Sequence, residues 1–463
     1  MSASKNLSRL LNTRDAFMLI VGNIIGIGIF TTTGYISQYI EHSGTMILVW
    51  ILGGLLSICG GLTYAELSTR LPRAGGDFHY LYHAFHPLLG FLFGWSTLFV
   101  TYTGSIAFIA VGFGHYVLNF FPDVIQGYSV TFPLIGFELT ATKICAVGIT
   151  LIFTFINHRG VRQGAQWQII LTLTSIITLA AYILFGFSSA KGSWSNFLPV
   201  FPSQTSLSFF SGIGVGLIGI YFTYSGWTVL AYVAGEIKNP EKSIPKATFM
   251  GVFTVVLLYI GVNMVYLYAF PTGIMKNIPD IGFEAFQALW GKGFTLLFTV
   301  MILIAVASTL NSTILSGARI PYAMSRQGLF FKRFGILHQK FETPSQSLWL
   351  QSIWAVILIL SGSFNQLLTF TVFVMVAFGA LAGLSLFILR QKNIQQEKPY
   401  LAWGYPVTPI IYVFVTFWIL INTLIDQPRE SLAGLILVSS GFPFYYYFSK
   451  ILNRNKKIPV AKE

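Results

Sequence analysis

Long apolar stretches without a formally charged residue recur along this chain of 463 residues, and they dictate its environment. They run from Asp15 to Glu41, Glu41 to Glu66, His86 to Asp123, Arg162 to Lys191, Lys246 to Lys276 and Lys292 to Arg319. A helix needs about 20 apolar residues to cross the hydrocarbon core of a bilayer. Two further stretches, Lys191 to Glu236 and Glu342 to Arg390, are too long for one crossing. The first opens on a loop-like piece, SSAKGSWSNFLPVFPSQTSLS, and the second is divided by the turn chemistry of Ser361-Gly362-Ser363-Phe364-Asn365. Charged residues make up 9% of the chain, against roughly 25% in soluble domains. The pattern predicts an all-α membrane protein in one transmembrane domain, residues 1–463. Twelve helices are expected near 16–38, 45–67, 88–118, 141–157, 164–187, 207–234, 247–270, 293–321, 346–361, 366–389, 407–425 and 431–449.

An even number of helices puts both termini on one side, and positive residues gather on the cytoplasmic side of membrane proteins. With the termini inside, the inner segments hold 23 Lys and Arg and the outer ones five: Lys143, Lys191, Lys276, Lys292 and Arg429. Both termini are therefore expected in the cytoplasm, as in a multi-pass protein of the cell membrane. The net charge of +13 is topological and gives no ground for nucleic-acid binding. The tail Lys450, Arg454, Lys456, Lys457, Lys462 is expected to lie near anionic lipid heads. The basic stretch MSASKNLSRLLNTR leads into an apolar run too long for a signal sequence, so the first helix is expected to direct its own insertion. Cys59 and Cys145, the only cysteines, read as small buried hydrophobes, with no disulfide framework, metal site or cofactor.

Glycines interrupt two of the helices. Gly22, Gly26, Gly28 and Gly34 break the first, and Gly212, Gly214, Gly216, Gly219, Gly226 and Gly235 punctuate the sixth around Thr223-Tyr224-Ser225. Freed backbone groups are tolerated at membrane depth only where they line a cavity within the protein. A matched pair of interrupted helices in two halves of a chain marks a transporter binding site at the midplane. Close helix packing is the competing explanation for the glycines.

Acids, His and bases are nearly absent from mid-membrane positions; Glu66, Lys143 and Arg319 sit at helix ends. A cationic side chain crossing this core would need a paired carboxylate. The zwitterionic backbone of an amino acid needs only helix ends: amides at a helix start attract a carboxylate, and carbonyls at a helix end attract an ammonium. No loop exceeds about 20 residues, which argues against a large ectodomain, an ATP-driven pump or a membrane-tethered enzyme.

Three stretches carry a resemblance to a known family: Gly22-Asn23-Ile24-Ile25-Gly26-Ile27-Gly28-Ile29-Phe30; residues 63–95, TYAELSTRLPRAGGDFHYLYHAFHPLLGFLFGW; and FTYSGW with AGEIKNPEKSIPKA, within residues 222–247. In this order the chain resembles the amino acid–polyamine–organocation superfamily of transporters, with the L-type amino acid transporter branch among its close relatives. The resemblance implies two inverted five-helix repeats, about 15–190 and 205–390, with helices 1 and 6 broken, and two extra helices within about 405–450. It implies that the amides of Gly26, Ile27 and Gly28 receive a substrate carboxylate. The carbonyls of Ile24, Ile25, Phe222, Thr223 and Ser225 would receive the amino group. Phe222 would be the aromatic gate, and Tyr224 and Trp227 either line the side-chain pocket or pack.

The departures from the family pattern are specific. Relatives carry a small residue between the two glycines where this chain has Ile27, which either narrows the pocket or points away. Animal L-type members bond to a glycoprotein through a cysteine in the loop after helix 3; residues 119–140 hold none, so no disulfide-linked heavy chain is expected. Counting from Gln168, Ser175 stands where several relatives have a helix-5 lysine. Ser308 and Thr309 with helix-1 carbonyls would form an oxygen cage for Na⁺, or bond back to their own helix. His79, His83 and His86 cluster in the loop after helix 2, where relatives use aromatics, and metal binding is not expected. Glu236 and Glu241 beside Lys238 and Lys242 suggest an inner salt-bridge gate or a solvated loop. Arg319, in the family-like stretch 317–328, is expected to snorkel inward. The expected function is secondary transport of neutral L-amino acids by alternating access. Amine or polyamine uptake is disfavoured for want of a carboxylate near the site, and a membrane amino acid sensor is the reading from another class.

Overall fold

Helix 1 is cut in two where the glycines fall: Thr13–Ile24 and Gly28–Ile36 meet at a bend of 41°. The computed structural model describes residues 7–122, 125, 127–132, 137–202, 207–276, 278, 280–361, 364–395, 398–426 and 428–456. Gly362 and Ser363 of the dividing turn, and Lys457 and Lys462 of the tail, lie outside the described residues.

The remaining long helices follow in chain order. They are helix 2 (Ser43–Arg70), helix 3 (Pro87–Leu118), helix 4 (Ala141–His158) and helix 5 (Val161–Ser188). Helix 6 runs over Leu207–Tyr224, tightens into a 3₁₀ turn at Ser225–Thr228 and resumes as Val229–Val233. Helix 7 is Pro240–Ala269, helix 8 Thr295–Gly317 continued by Arg319–Arg326, helix 9 Ser345–Ser361 and helix 10 Phe364–Gln391. Helix 11 is Val407–Asp426, and helix 12 is two pieces, Pro428–Ser439 and Gly441–Lys456. Among the described residues, ten helices are long and apolar enough to cross a membrane, the bent helix 1 makes an eleventh, and helix 9 is a shorter apolar helix.

Local chemistry sets several starts. The Asn12 side chain accepts from the amides of Arg14 and Asp15 while the Asp15 carboxylate accepts from the Asn12 amide, a reciprocal capping box. Helices 3 and 7 each begin on a proline, Pro87 and Pro240, whose missing N–H is no loss at that position.

Helix 8 lies at the centre, with 78% of its most apolar window buried, against 28% for helix 11 and 22% for helix 12. It packs against helices 1, 3 and 5, while helix 11 lies on helices 2 and 10 and helix 12 on helix 3. Shorter helices, Asp77–Ala84 and Ile281–Trp290, sit in the connections before helix 3 and before helix 8. The expectation of a wholly helical chain needs one correction. Ser129–Phe132 and Phe137–Thr140 pair as an antiparallel hairpin, Ser129 opposite Thr140 and Phe132 opposite Phe137. These strands alternate apolar residues (Val130, Phe132, Phe137, Leu139) with polar ones, a pattern that suits a strand.

Candidate functional site: the break between helices 1 and 6

The break in helix 1 is held open by its neighbours. A Cβ on Gly26 would stand 2.9 Å from the Thr309 hydroxyl of helix 8, and one on Gly28 would stand 2.9 Å from the Thr223 hydroxyl of helix 6. Helices 1 and 6 come close at Gly226, where a Cβ would lie 2.5 Å from the carbonyl carbon of Asn23 and 2.6 Å from the Ile24 nitrogen. Helices 1 and 6 therefore touch backbone to backbone at their interruptions. Among the described residues, the amides of Gly26, Ile27 and Gly28 have no backbone acceptor, because the first piece ends at Ile24 and the second starts at Gly28 without a side-chain cap.

These groups face a cavity of about 130 Å³. Its wall contains Ile24, Gly26, Ile27, Gly28, Phe222, Thr223, Ser225, Trp227 and Thr309 of the residues singled out from the sequence. Ile27 resolves in a specific way: its Cδ1 reaches over Gly112 of helix 3, where a Cβ would stand 2.8 Å from it. The side chain lines the cavity and is accommodated by a glycine opposite. Trp227 is 3% exposed and held edge-on by Tyr64 and Tyr412.

Tyr224 does not line the cavity. It is fully buried between Trp50 and Tyr259, a packing residue on the far side of the 3₁₀ turn. Ile25 also turns away from the cavity, its carbonyl accepting from Thr309 Oγ1 at 2.7 Å. The Ile24 carbonyl accepts from Tyr259 Oη at 2.8 Å, and the Phe222 carbonyl from Ser225 Oγ at 2.7 Å. Each of these three carbonyls keeps a second lone pair.

Ser308 and Thr309 part company. Thr309 bonds to the helix-1 carbonyls of Gly22 and Ile25. Ser308 instead joins Gln168 (2.9 Å) and Thr172 (3.0 Å) of helix 5. Asn311 extends this buried network, donating to Gln168 and accepting from Asn157. Ser175 is not the helix-5 residue at this seam: its hydroxyl turns back to the Leu171 carbonyl, and Thr172 and Gln168 face helix 8.

The end of the bundle beside Leu11 is tied by buried ions. Arg319 does not snorkel; it is 1% exposed and grips Glu236 through two bonds of 2.8 and 2.9 Å. Leu11 locks beside them, accepting from the Lys238 amide and donating to the Glu236 carbonyl. Glu66 takes Arg70 (2.7 Å), Arg390 (2.8 and 2.5 Å) and the Ala402 amide (2.7 Å). Helix 2, helix 10 and the approach to helix 11 meet at that one carboxylate.

Part of the cavity wall was not anticipated. Thr97, Thr101 and Ser105 line it from helix 3, with a π-turn at Thr97–Thr101, and Met375 and Phe378 line it from helix 10. The first three recur every four residues along the helix, a polar stripe readable from sequence. Asp77, placed in a loop by its position in the chain, also reaches the wall. It is 3% exposed, and burial raises its carboxyl to about 7. Its neighbour His79 goes the other way, lowered to about 3 by burial and by Arg73 and His83 nearby. No group of three metal ligands occurs among the described residues.

Comparisons with known proteins agree with this architecture. The chain is 29% identical over 438 residues to the serine/threonine exchanger SteT of Bacillus subtilis (strain 168), covering 94% of this chain and 95% of that protein. It is 29% identical to the mouse b(0,+)-type amino acid transporter 1 over 440 residues, 93% of this chain and 86% of the relative. It is 28% identical to the human cystine/glutamate transporter over 439 residues, 93% and 83% of the two chains. These relatives are named as transporters and exchangers of amino acids, not as enzymes. Residues 11–447 match the amino acid permease family, and the chain belongs to that family, within the amino acid–polyamine–organocation superfamily of membrane transporters.

Proposed function

We propose that this permease carries neutral L-amino acids across the cell membrane by alternating access, with both termini cytoplasmic. The observation that carries the reading is the set of amides at Gly26, Ile27 and Gly28 that have no backbone acceptor among the described residues, opening on one cavity beside the helix-6 turn. Amides at the start of Gly28–Ile36 suit a carboxylate. Remaining lone pairs on the Ile24 and Phe222 carbonyls, with those of Thr223 and Ser225, suit the ammonium. Phe222, half-buried on the cavity wall, acts as the gate, and Trp227 borders the side-chain space. Ile27 and Trp227 make that space apolar, which favours an uncharged side chain.

In this reading helix 9 is the twelfth crossing, residues about 15–190 and 205–390 are inverted repeats, and helices 11 and 12 are additions. Support comes from the packing of helix 1 on 6, 2 on 7, 3 on 8 and 4 on 9, pairs that such a repeat relates. Thr309 bonds to the Gly22 and Ile25 carbonyls and Ser308 is engaged with helix 5, so this reading gives the pair no Na⁺-coupling role. Exchange is the simplest mode, since no buried lysine stands on helix 5.

Purified protein in proteoliposomes, loaded with or without internal amino acid, tests the reading. Uptake of a labelled neutral amino acid should rise on preloading and should not require Na⁺ or a pH gradient. If no amino acid in a full panel is carried or counterflowed, the proposal fails.

A further inference from the structure

The cavity has a second polar pole, at its inner end. Asp77 stands at the start of the short helix Asp77–Ala84 and lines the same cavity as Gly26 and Gly28. Its Oδ2 accepts from Tyr232 Oη at 3.0 Å. Its Oδ1 is buried and has no hydrogen-bond partner within 3.5 Å among the described residues, the Tyr64 hydroxyl being the neighbouring donor. Among the described residues no ion pair includes it, in contrast to Glu66 and Glu236.

The groups that face it from every side are uncharged at neutral pH. Tyr64 comes from helix 2 and Tyr232 from helix 6, with Tyr80, Tyr102, Tyr221 and Tyr412 farther out. On its own helix, His79 turns Nε2 to the Ala74 carbonyl, and the nearby Arg73 acts on His79 and His83. A buried carboxylate without a counter-ion does not persist; it takes a proton or a cation. The aromatic walls, Phe93 stacked on Tyr232 and Tyr102 edge-on to it, also suit a desolvated ammonium.

We propose that Asp77 is an ammonium-docking site at the inner end of the cavity, where a primary ammonium group replaces the proton on the carboxyl. The exchange balances: the proton leaves to water as R–NH₃⁺ settles against the carboxylate, and no covalent bond to carbon changes. Because burial raises this carboxyl to about 7, proton and ammonium compete near neutral pH. The site revises the expectation that no carboxylate lies near the ligand. It rests on the transport reading for what passes through the cavity, but not on the carboxylate cradle of helix 1.

The test compares phenethylamine with L-phenylalanine, both radiolabelled, by equilibrium binding to the purified full-length protein. Wild type should bind the amine, with affinity rising about tenfold from pH 6 to pH 8 as the ionised fraction of an acid with pKa near 7 grows. Asp77→Asn should weaken amine binding at least tenfold and remove the pH dependence. Tyr232→Phe, which keeps the ring, should shift the pH profile. Gly28→Val should abolish binding of the amino acid while leaving the amine bound, which separates this site from the helix-1 cradle. Wild type that does not bind the amine, or binds it with an affinity flat between pH 6 and 8, overturns the proposal even if Asp77→Asn fails to fold. Amine binding unchanged in a folded Asp77→Asn protein overturns it as well.

Discussion

Replacing Gly226 with alanine is the sharpest perturbation available at the helix 1/6 contact. The new Cβ would meet the Asn23 carbonyl carbon at 2.5 Å, its oxygen at 2.6 Å and the Ile24 nitrogen at 2.6 Å. All three are backbone atoms, so no side chain can swing aside. Ordinary contact begins at 3.4 Å, which requires the two helices to part by about 0.9 Å. Overpacking of this kind costs roughly 1–3 kcal/mol, and the absence of a flexible neighbour points to the upper end. A displacement of about 1 Å at a positioning site also lowers rates by about 10²-fold. Gly148→Ala is the control: nothing lies within 4 Å of its Cβ, and alanine is the better helix former by about 1 kcal/mol. Tm in detergent and initial uptake in proteoliposomes read both effects. Gly226→Ala should lower Tm and reduce transport about a hundredfold, while Gly148→Ala should leave both unchanged or raise Tm. Wild-type Tm and uptake in Gly226→Ala would refute the claim that the two backbones meet there.

Further outcomes follow from the buried ions and hydroxyls. Arg319→Met leaves Glu236 buried without its partner and should destabilise the fold by about 3–5 kcal/mol, most of it recovered in Arg319→Met/Glu236→Met; a thermal double-mutant cycle measures the coupling. Thr309→Val removes the hydroxyl from the Gly22 and Ile25 carbonyls and should cost about 1–3 kcal/mol, with Thr309→Ser restoring uptake; full activity of the valine variant would show that the contact is dispensable. His79 and Asp77 make opposite contributions to the pH dependence of stability. With its pKa lowered to about 3, His79 binds fewer protons folded than unfolded, so its contribution is present above the ordinary histidine value and is lost as pH falls toward 3. With its pKa raised to about 7, Asp77 binds more protons folded, so its contribution is present at acid pH and is lost as pH rises toward 7. Relative to wild type, the Tm of His79→Asn should fall as pH rises from about 4 to 6.5, and that of Asp77→Asn should rise; parallel profiles for all three proteins would contradict both assignments.

Much of the architecture was legible because lipid leaves few alternatives. Apolar stretches of sufficient length become helices, since only internally bonded backbone survives there, and Thr13–Ile24 with Gly28–Ile36 broke where glycine spacing indicated. The hairpin at Ser129–Phe132 and Phe137–Thr140 lies outside that constraint, in a segment where water satisfies any conformation, and was missed. Tyr224 shows the same limit at the site. Its neighbours in the motif line the cavity, but the 3₁₀ turn at Ser225–Thr228 carries Trp227 toward the space and leaves Tyr224 behind it. Rotation about a helix axis near a break depends on the local winding, and spacing alone does not determine it.

By itself the amino-acid sequence determined the membrane environment, the helices, the broken first segment and the family, because each depends on local composition and order. Only the tertiary structure decided where long-range partners stand. It put Gly226 against Asn23, Ile27 over Gly112, Ser308 with Gln168 rather than on helix 1, and Asp77 on the cavity wall. Asp77 is the clearest case: its neighbours in the chain mark it as a loop acid. The fold of Asp77–Ala84 against the bundle buries it beside Tyr232, 155 positions away, and burial is what gives that carboxyl its chemistry.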